Sequence, residues 1–470
     1  MRYKSISIIA ILLLAIAIRI QGQNKSIDEA NAEIEKLKRQ LVEANERARV
    51  AEAMIRKAQE NLTRARYIAQ AKAMAVKSQE LGSDPEQEAL VARLAYKFNL
   101  EYQGNFWDND IYRGLNTALV RLHDHIVQDL QGHTGSARAL ISDSKSGNMY
   151  SGGADGRILR WTKQGSEWKA DSISGIQETY QVYSIALSPD GNWLIAGGAS
   201  SLDPSNGYVE LFDLKNLKKV PKKISGFSEI QTLIYSSKGD GAYALEQNGT
   251  NIKFTDFKSA YVVIKPKEII NAIAISQDGS RLAGAGASRN LYVWDIANNY
   301  EERIAFRNTS DLTAVAFSPD NRGIVIGDED GDVKVVSLGS DVPPRILTGH
   351  IAHVEQIVFS NTGSYLATTS RDHSIRLWNW SKLSDYPIVL NGADRDTWFW
   401  SAAFSPDDEQ LMIAVHPPQN ETVKPTIQVW PIRIDTMAKH LCGLINRDMT
   451  RDEWDNFVGS DLPYVKVCEK

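Results

Sequence analysis

The chain has little cysteine, little net charge and no apolar run long enough to cross a bilayer. Its formal net charge is only −5 over 470 residues, which provides no electrostatic attraction to nucleic acid or to an anionic membrane surface. The sequence contains no Gly-x-x-x-x-Gly-Lys-Ser/Thr phosphate loop. Its eight histidines and two cysteines show no zinc-ligand spacing. We therefore predict neither a metal nor a cofactor.

The first residues have the pattern of a signal peptide. Arg2 and Lys4 precede an apolar run from 6 to 18, and polar residues follow from Gln21. Thirteen residues fall short of the roughly 20 that a membrane span requires. We predict a signal peptide at 1–22 and export to the periplasm or cell envelope. The alternative is an uncleaved segment that anchors the protein in the inner membrane.

Both cysteines, Cys442 and Cys468, lie near the C-terminus. In an exported chain, one pair in the tail predicts a disulfide bond. Two buried free thiols are the alternative.

A seven-residue apolar repeat runs from Ile27 to Ala69 without proline or glycine. This repeat predicts one long helix over 24–81, and apolar residues at every first and fourth position are typical of a coiled coil. We expect self-association or pairing with another helix through 27–69. The first seam holds Ile27, Ile34, Leu41, Ala48, Ile55, Leu62 and Ala69, and the second holds Ala30, Leu37, Ala44, Ala51, Ala58 and Ala65.

A break at 82–85 separates this helix from a predicted helical hairpin over 84–125. Ser83 or Asp84 can cap the first hairpin helix, and Pro85 suits its first turn. The second helix is predicted from Asp110.

The next segment is repetitive. Short apolar strands end in turns that begin with a serine, and these serines lie 48, 40, 42, 42 and 45 residues apart. An earlier, degenerate copy surrounds 145–147. Seven units of this length predict a mainly β fold, a seven-bladed propeller over 126–434. The turns begin at Ser188, Ser236, Ser276, Ser318, Ser360 and Ser405.

Each unit also ends on a strand with an aromatic position, most clearly 291–295 and 375–379. Together with Gly-His at 132–133 and 349–350, this pattern resembles the WD-repeat family across roughly 126–434. Two units depart from it, with Thr255 and Val336 where the family has tryptophan. The resemblance implies a protein-interaction scaffold.

The tail at 435–470 is predicted to be helical and to fold back on the propeller, with Trp454 buried between helices near 436–445 and 450–457. Its residues 441–450, followed by Glu453 and Trp454, resemble the end of bacterial WD-repeat proteins related to signalling ATPases. Because the sequence has no phosphate loop, we do not expect the ATPase domain of those proteins, and the resemblance implies a bacterial source.

His350, Ser370, Asp372 and Trp378 could be mistaken for a hydrolase site. In a WD-repeat blade, residues at these spacings form a buried hydrogen-bonded tetrad that ties the strands together. We therefore predict no catalytic residues. Blade one carries Gly153 at the serine position, which predicts an incomplete network there.

An acidic loop at 328–332 resembles the start of a calcium site. Its glycine is the fourth residue, whereas a calcium loop requires it sixth, so a tight turn explains the pattern better.

The binding surface is predicted at the position five residues before each turn serine, where the innermost strand opens around the channel. Exposed aromatic residues around a rigid opening are favoured interface anchors, so we predict that Tyr183, Glu355, Trp398 and Trp400 contact a partner. Packing of these rings under a loop is the alternative. The full set of positions is Tyr183, Gln231, Asn271, Thr313, Glu355 and Trp400.

The sequence thus favours an exported interaction scaffold. A sensor that binds a small ligand and a propeller hydrolase are the alternatives.

Overall fold

The computed structural model describes residues 27–82, 84–123, 128–173, 180–203, 205–224, 226–258, 261–340, 342–391, 398–416 and 426–468. The predicted signal peptide lies outside these ranges. The chain divides after Ala69 into two compact units. Among the described residues, no helix is both long and apolar enough to cross a membrane.

Helix α1, Ile27–Ser78, begins within the first unit. The predicted seam is uncovered along much of this single chain, since Ile55 is 59% exposed and Leu62 is 72% exposed. The long helix is therefore present, whereas its pairing as a coiled coil stays a prediction. The last turns of α1 belong to the second unit, where Ala71, Met74 and Ala75 are almost fully buried.

Two further helices form the predicted hairpin, α2 (Pro85–Glu101) and α3 (Asn109–Arg121). The Asp84 side chain accepts hydrogen bonds from the backbone N–H groups of Glu86 and Gln87, and so caps α2. Asp108 caps α3 in the same way.

The remainder of the second unit is a propeller of seven four-stranded antiparallel sheets, as predicted. In six blades, consecutive strands pair in chain order from the innermost to the outermost. The innermost strands of neighbouring blades pack together around the whole ring.

The blades contain the following strands. Blade one has β2 (Ala137–Asp143), β3 (Asn148–Gly153), β4 (Ile158–Gln164) and β5 (Glu167–Ser172); blade two has β6 (Tyr180–Leu187), β7 (Trp193–Ser200), β8 (Gly207–Asp213) and β9 (Lys222–Ile224). Blade three has β10 (Ile230–Tyr235), β11 (Ala242–Glu246), β12 (Ile252–Thr255) and β13 (Tyr261–Ile264); blade four has β14 (Ile270–Ile275), β15 (Arg281–Gly286), β16 (Asn290–Asp295) and β17 (Glu301–Arg307). Blade five has β18 (Leu312–Phe317), β19 (Gly323–Asp328), β20 (Val333–Ser337) and β21 (Arg345–Leu347); blade six has β22 (Val354–Phe359), β23 (Tyr365–Ser370), β24 (Ser374–Asn379) and β25 (Ile388–Asn391). Blade seven has β26 (Trp398–Phe404), β27 (Gln410–His416) and β28 (Thr426–Pro431), completed by β1 (Gln128–Leu130).

Strand β1 closes the ring. It pairs antiparallel with β28, with Gln128 opposite Val429 and Leu130 opposite Ile427. A propeller leaves an open sheet edge unless its last blade pairs with a strand from the start of the domain, so the apolar segment 126–130 before the first blade is predicted to be the outermost strand of blade seven. Residues 128–130 confirm this prediction, and residues 126 and 127 lie outside the described ranges. Pairing of the two ends of the domain removes an open sheet edge.

The tail contains α4 (Ile434–Leu444) and α5 (Arg451–Phe457), and Cys442 and Cys468 form the predicted disulfide. Trp454 is buried, but its neighbours differ from those predicted. Its ring lies 6.2 Å from that of Phe98 on α2 and 4.9 Å from that of Tyr464. The hairpin therefore provides part of this pocket. The disulfide links the last described residues to α4, and Nζ of Lys97 on α2 donates to the carbonyl of Lys466.

Candidate functional site

The innermost strand of every blade contains a β-bulge at the same place. At that position the ladder with the second strand skips one residue, and a bulge re-aims the side chain it carries. Six of these positions are those predicted from the turn serines, and the seventh is in blade one. We call the set the ring residues: Arg138, Tyr183, Gln231, Asn271, Thr313, Glu355 and Trp400.

Three ring residues tie neighbouring blades together. Gln231 donates from Nε2 to the carbonyl of Asn271 at 2.8 Å, and Asn271 donates from Nδ2 to the carbonyl of Leu312 at 2.8 Å. The Thr313 hydroxyl donates to the carbonyl of Val354 at 2.7 Å. These bonds join blades three to six in succession, and we call this side of the ring the closed half.

The other four ring residues belong to blades six, seven, one and two, which are also consecutive. We call them the open half. The guanidinium carbon of Arg138 lies 4.5 Å from the centroid of the Tyr183 ring and 5.6 Å from that of the Trp400 ring. Trp400 is 36% exposed, and Tyr183 is half-buried. Two predicted partner-binding residues are thus brought together by an arginine between them.

Glu355 is also in the open half, but its carboxylate is engaged. It pairs with the Arg371 guanidinium, and its second oxygen lies 3.7 Å from Nε2 of His353. Trp398 begins strand β26, and its side chain lies outside the described residues. Regular alternation puts residues two apart in a strand, such as Trp398 and Trp400, on one side of the sheet, but the bulge at Trp400 interrupts the alternation here.

A central cavity of about 770 Å³ is lined by residues of all seven blades. Arg138, Tyr183, Glu355 and Trp400 all line it. The set that contacts the cavity thus includes the whole open half of the ring.

The tetrad of blade six is present with one correction. Nε1 of Trp378 donates to the hydroxyl of Thr368 at 3.1 Å, and the same hydroxyl lies 2.8 Å from Nε2 of His350. Nδ1 of His350 lies 2.8 Å from the Asp372 carboxylate, which can only accept, so Nδ1 carries the hydrogen. Thr368 therefore takes the place predicted for Ser370.

Ser370 lies on the same face of β23 as Thr368, two residues further along the strand. Thr368 and Trp378 are diagonal neighbours across β23 and β24, within reach of an indole ring. A second two-residue step puts Ser370 out of that reach, and its hydroxyl donates instead to the carbonyl of Ala352 at 2.8 Å.

The same shift corrects blade one. Its network was predicted to be incomplete because Gly153 occupies the serine position, but Ser151 supplies the hydroxyl. Ser151 lies 2.8 Å from Nε2 of His133 and accepts from Nε1 of Trp161 at 2.8 Å, while Nδ1 of His133 contacts Asp155 at 2.9 Å. Blades one and six therefore have equivalent complete networks.

Electrostatics in these networks favour the ionised carboxylate. Burial opposes ionisation of Asp155, but hydrogen bonds from His133 and from the N–H groups of Thr134 and Arg157 outweigh it and lower its pKa to about 2. The pKa of Asp372 lies well below its usual range because bonds from His350 and Ser374 outweigh burial in the same way. Both groups are structural, since every polar atom that surrounds them belongs to the blade.

Blades three and five replace the missing tryptophan network with ion pairs. Lys253 lies 2.6 Å from Glu246, and Lys334 lies 3.1 Å from Asp328. Asp328 is the first residue of the acidic loop, so its carboxylate is already occupied by a cation from the chain. Within the described ranges, no group of three or more His, Cys, Asp or Glu side chains is placed to hold a metal.

Arg138 was missed from the sequence because the turn of blade one has aspartate, not serine, at the position of the turn serine. Asp143 ends β2 where the other blades have the turn serine, and its side chain accepts from the N–H of Lys145. Counting five residues back from Asp143 identifies Arg138. The sequence therefore contains the pattern, but it can be read only after the degenerate first repeat is aligned with the others at Asp143.

Comparisons with known proteins agree with this architecture. A family model for the WD domain, G-beta repeat, matches residues 172–213, 260–295, 303–337 and 342–379. Actin-interacting protein 1 of Caenorhabditis elegans is 26% identical over 280 residues, which cover 57% of this chain and 43% of that protein. The 66 kDa stress protein of Physarum polycephalum is 22% identical over 317 residues, 65% of this chain and 51% of that protein.

A third relative, the serine-threonine kinase receptor-associated protein of Dictyostelium discoideum, is 24% identical over 255 residues, 54% of this chain and 83% of that protein. The first two matches span only about half of each relative.

Proposed function

Because the chain belongs to the WD-repeat β-propeller proteins, we propose that it is a non-enzymatic protein-interaction scaffold that binds its partner at the open half of the ring. The observation that carries this proposal is the grouping of Arg138, Tyr183 and Trp400 at the central cavity. Aromatic and arginine side chains are the residues that most often dominate binding energy at interfaces.

The relatives support an interaction role. One is named for its interaction with actin and another for its association with a serine-threonine kinase receptor. Neither name transfers a particular partner to this chain, but both describe a protein that interacts or associates with another protein.

Partner capture tests the proposal. The full chain, immobilised, is exposed to an extract of the source cell's envelope, in parallel with the Tyr183→Ala, Trp400→Ala double variant. We expect the wild-type chain to retain a defined protein that the double variant loses. Thr313→Val, in the closed half, is the matched control and should retain it. Equal capture by all three chains would contradict the assignment to the open half.

Helix α1 provides a second binding element in this proposal. Its seam is apolar and exposed at Ile55 and Leu62, and a lone helix gains little stability without a partner for such a stripe. Light scattering should show fewer subunits for Ile55→Lys, Leu62→Lys than for wild type. Ala53→Lys, Thr63→Lys adds the same charge at outward positions and should leave the subunit number unchanged; no difference between the pairs would remove self-association from the proposal.

We also propose that the protein acts in a bacterial envelope after export. The basic and apolar N-terminal pattern and the Cys442–Cys468 disulfide support this location, because disulfides persist in oxidising compartments. Fractionation of the source cells tests it, and recovery of the protein in the cytoplasm with reduced thiols would contradict it.

A small-ligand sensor is the second candidate function. The central cavity of about 770 Å³ falls within the range of about 300–1,000 Å³ that small-molecule sites occupy. Ligand-induced thermal stabilisation without any captured protein would favour the sensor over the scaffold.

A further inference from the structure

The open half of the ring holds an arginine that is positioned by aromatic rings and has no acidic partner among the described residues. We infer that Arg138 binds a carboxylate group presented by the partner protein, so that the ring selects a segment with a single acidic group. This inference rests on the proposed function and adds the chemistry that the surface recognises.

The guanidinium is held in place before any partner arrives. It lies over both the Tyr183 ring and the Trp400 ring, at 4.5 and 5.6 Å from their centroids. Such cation–π contacts orient the group without using its N–H donors. A pre-oriented side chain loses less conformational freedom on binding.

The N–H donors of Arg138 have no acceptor among the described residues. Within the part of the chain that the structure describes, the Arg138 side chain makes no hydrogen bond and no ion pair, and its Nε is buried without an acceptor. The other arginine at the cavity, Arg371, is paired with Glu355. A buried donor without an acceptor is unfavourable, so an acceptor supplied from outside stabilises the site.

A carboxylate fits this donor set best. The planar guanidinium offers a fork of N–H groups that matches the two oxygens of a carboxylate. The cavity is also lined by Glu229 of blade three and by Glu355. Since these acids repel further negative charge, the site favours one carboxylate over a run of acidic residues.

Peptide retention on the immobilised full chain tests the inference. The probes are pools of short synthetic peptides with one shared neutral background. One pool carries a central glutamate and an amidated end, one has glutamine in its place, one has glutamine with a free C-terminal carboxylate, and one has a central lysine with an amidated end. We expect the glutamate pool or the free-carboxylate pool to be retained at least about 10-fold more than the glutamine-amide pool. Which of the two is retained distinguishes an acidic side chain from a chain terminus.

Variants at Arg138 and a control complete the test. Arg138→Lys keeps the charge but loses the fork, and should reduce retention of the favoured pool roughly 10-fold or more. Arg138→Glu should transfer the preference to the lysine pool. Arg160→Gln is the matched control in the same blade, since Arg160 pairs with Asp171 on the outer strands, and it should behave as wild type.

If wild type retains neither the glutamate pool nor the free-carboxylate pool better than the glutamine-amide pool, the inference is overturned, and this comparison does not depend on any variant folding. If the glutamine-amide pool is retained by wild type and lost in the Tyr183→Ala, Trp400→Ala variant, the inference fails but the proposed function stands. If no pool is retained, the inference also fails, and partner capture decides the proposed function separately.

Discussion

The two halves of the ring use the same backbone device for different purposes. In the closed half, Gln231, Asn271 and Thr313 direct their polar atoms to the backbone of the next blade. In the open half, Arg138 and Trp400 contact each other and the cavity. The equivalent bulge position of each blade therefore either joins neighbouring blades or contributes to the cavity surface, depending on the side chain that it carries.

The difference also gives a practical rule for the two halves. A polar side chain without a charge at the bulge donates to a carbonyl of the neighbouring blade, as Gln231, Asn271 and Thr313 do. A large aromatic or cationic side chain leaves the neighbouring backbone to other residues, as where the Ser401 hydroxyl accepts from the N–H of Leu140 at 3.2 Å. Blade-to-blade bonding is thus preserved one residue away, which leaves the ring residue available for binding.

The largest loss of stability is expected in the hydrogen-bonded network of blade six, which lies outside the ring residues. This loss is the reference against which the effects in the two halves of the ring are compared. Thr368→Val removes the hydroxyl that joins His350 and Trp378, and should lower the free energy of unfolding by about 2–3 kcal/mol because two buried groups lose their partner. Ser370→Ala should cost less, about 1 kcal/mol. Denaturant unfolding measures both, and equal losses would show that Ser370 contributes as much as Thr368.

A smaller loss is expected in the closed half. Thr313→Val is nearly isosteric and removes the bond to the Val354 carbonyl, which should cost about 1–2 kcal/mol. Partner retention should not change once the folded fraction is accounted for. A variant that folds normally but no longer binds would place Thr313 in the binding surface and abolish the distinction between the halves.

The open half should show the opposite behaviour. Tyr183→Ala with Trp400→Ala removes two rings that contact Arg138, and should change the free energy of unfolding by about 1 kcal/mol, the scale of such cation–π contacts. Partner retention should be lost. Thermal unfolding beside a binding assay separates the two effects, and a variant that unfolds would assign these rings to packing.

The smallest effect on stability is expected at Glu355. Glu355→Gln removes a pair with Arg371, which is about half exposed, so the cost should be at most about 0.5–1 kcal/mol. Binding should weaken less than in the aromatic double variant, because the carboxylate is already occupied within the chain. A loss of binding as large as that of the Trp400 variant would make Glu355 a direct partner contact.

The elements predicted well were those with strong local signals. The turn serines and the Gly-His pairs predicted the blades, and the apolar segment before the first blade predicted the closing strand that pairs Gln128 with Val429. The Cys442–Cys468 bond followed from a count of two cysteines. The prediction failed where two hydroxyl side chains lie two residues apart in one strand, as Thr368 and Ser370 do. Both lie on the same face of β23, so the sequence does not show which of them reaches His350 and Trp378.

The sequence by itself determined the number of blades and the positions of six of the seven ring residues, because these depend on repeated turn and strand residues close together in the chain. Only the tertiary structure decided which bulge side chains join blades and which meet at the cavity. That choice depends on the neighbours that ring closure brings together, such as Arg138 of blade one and Trp400 of blade seven. Such contacts between residues distant in sequence carry no periodic signal, so their partners appear only after the fold is complete.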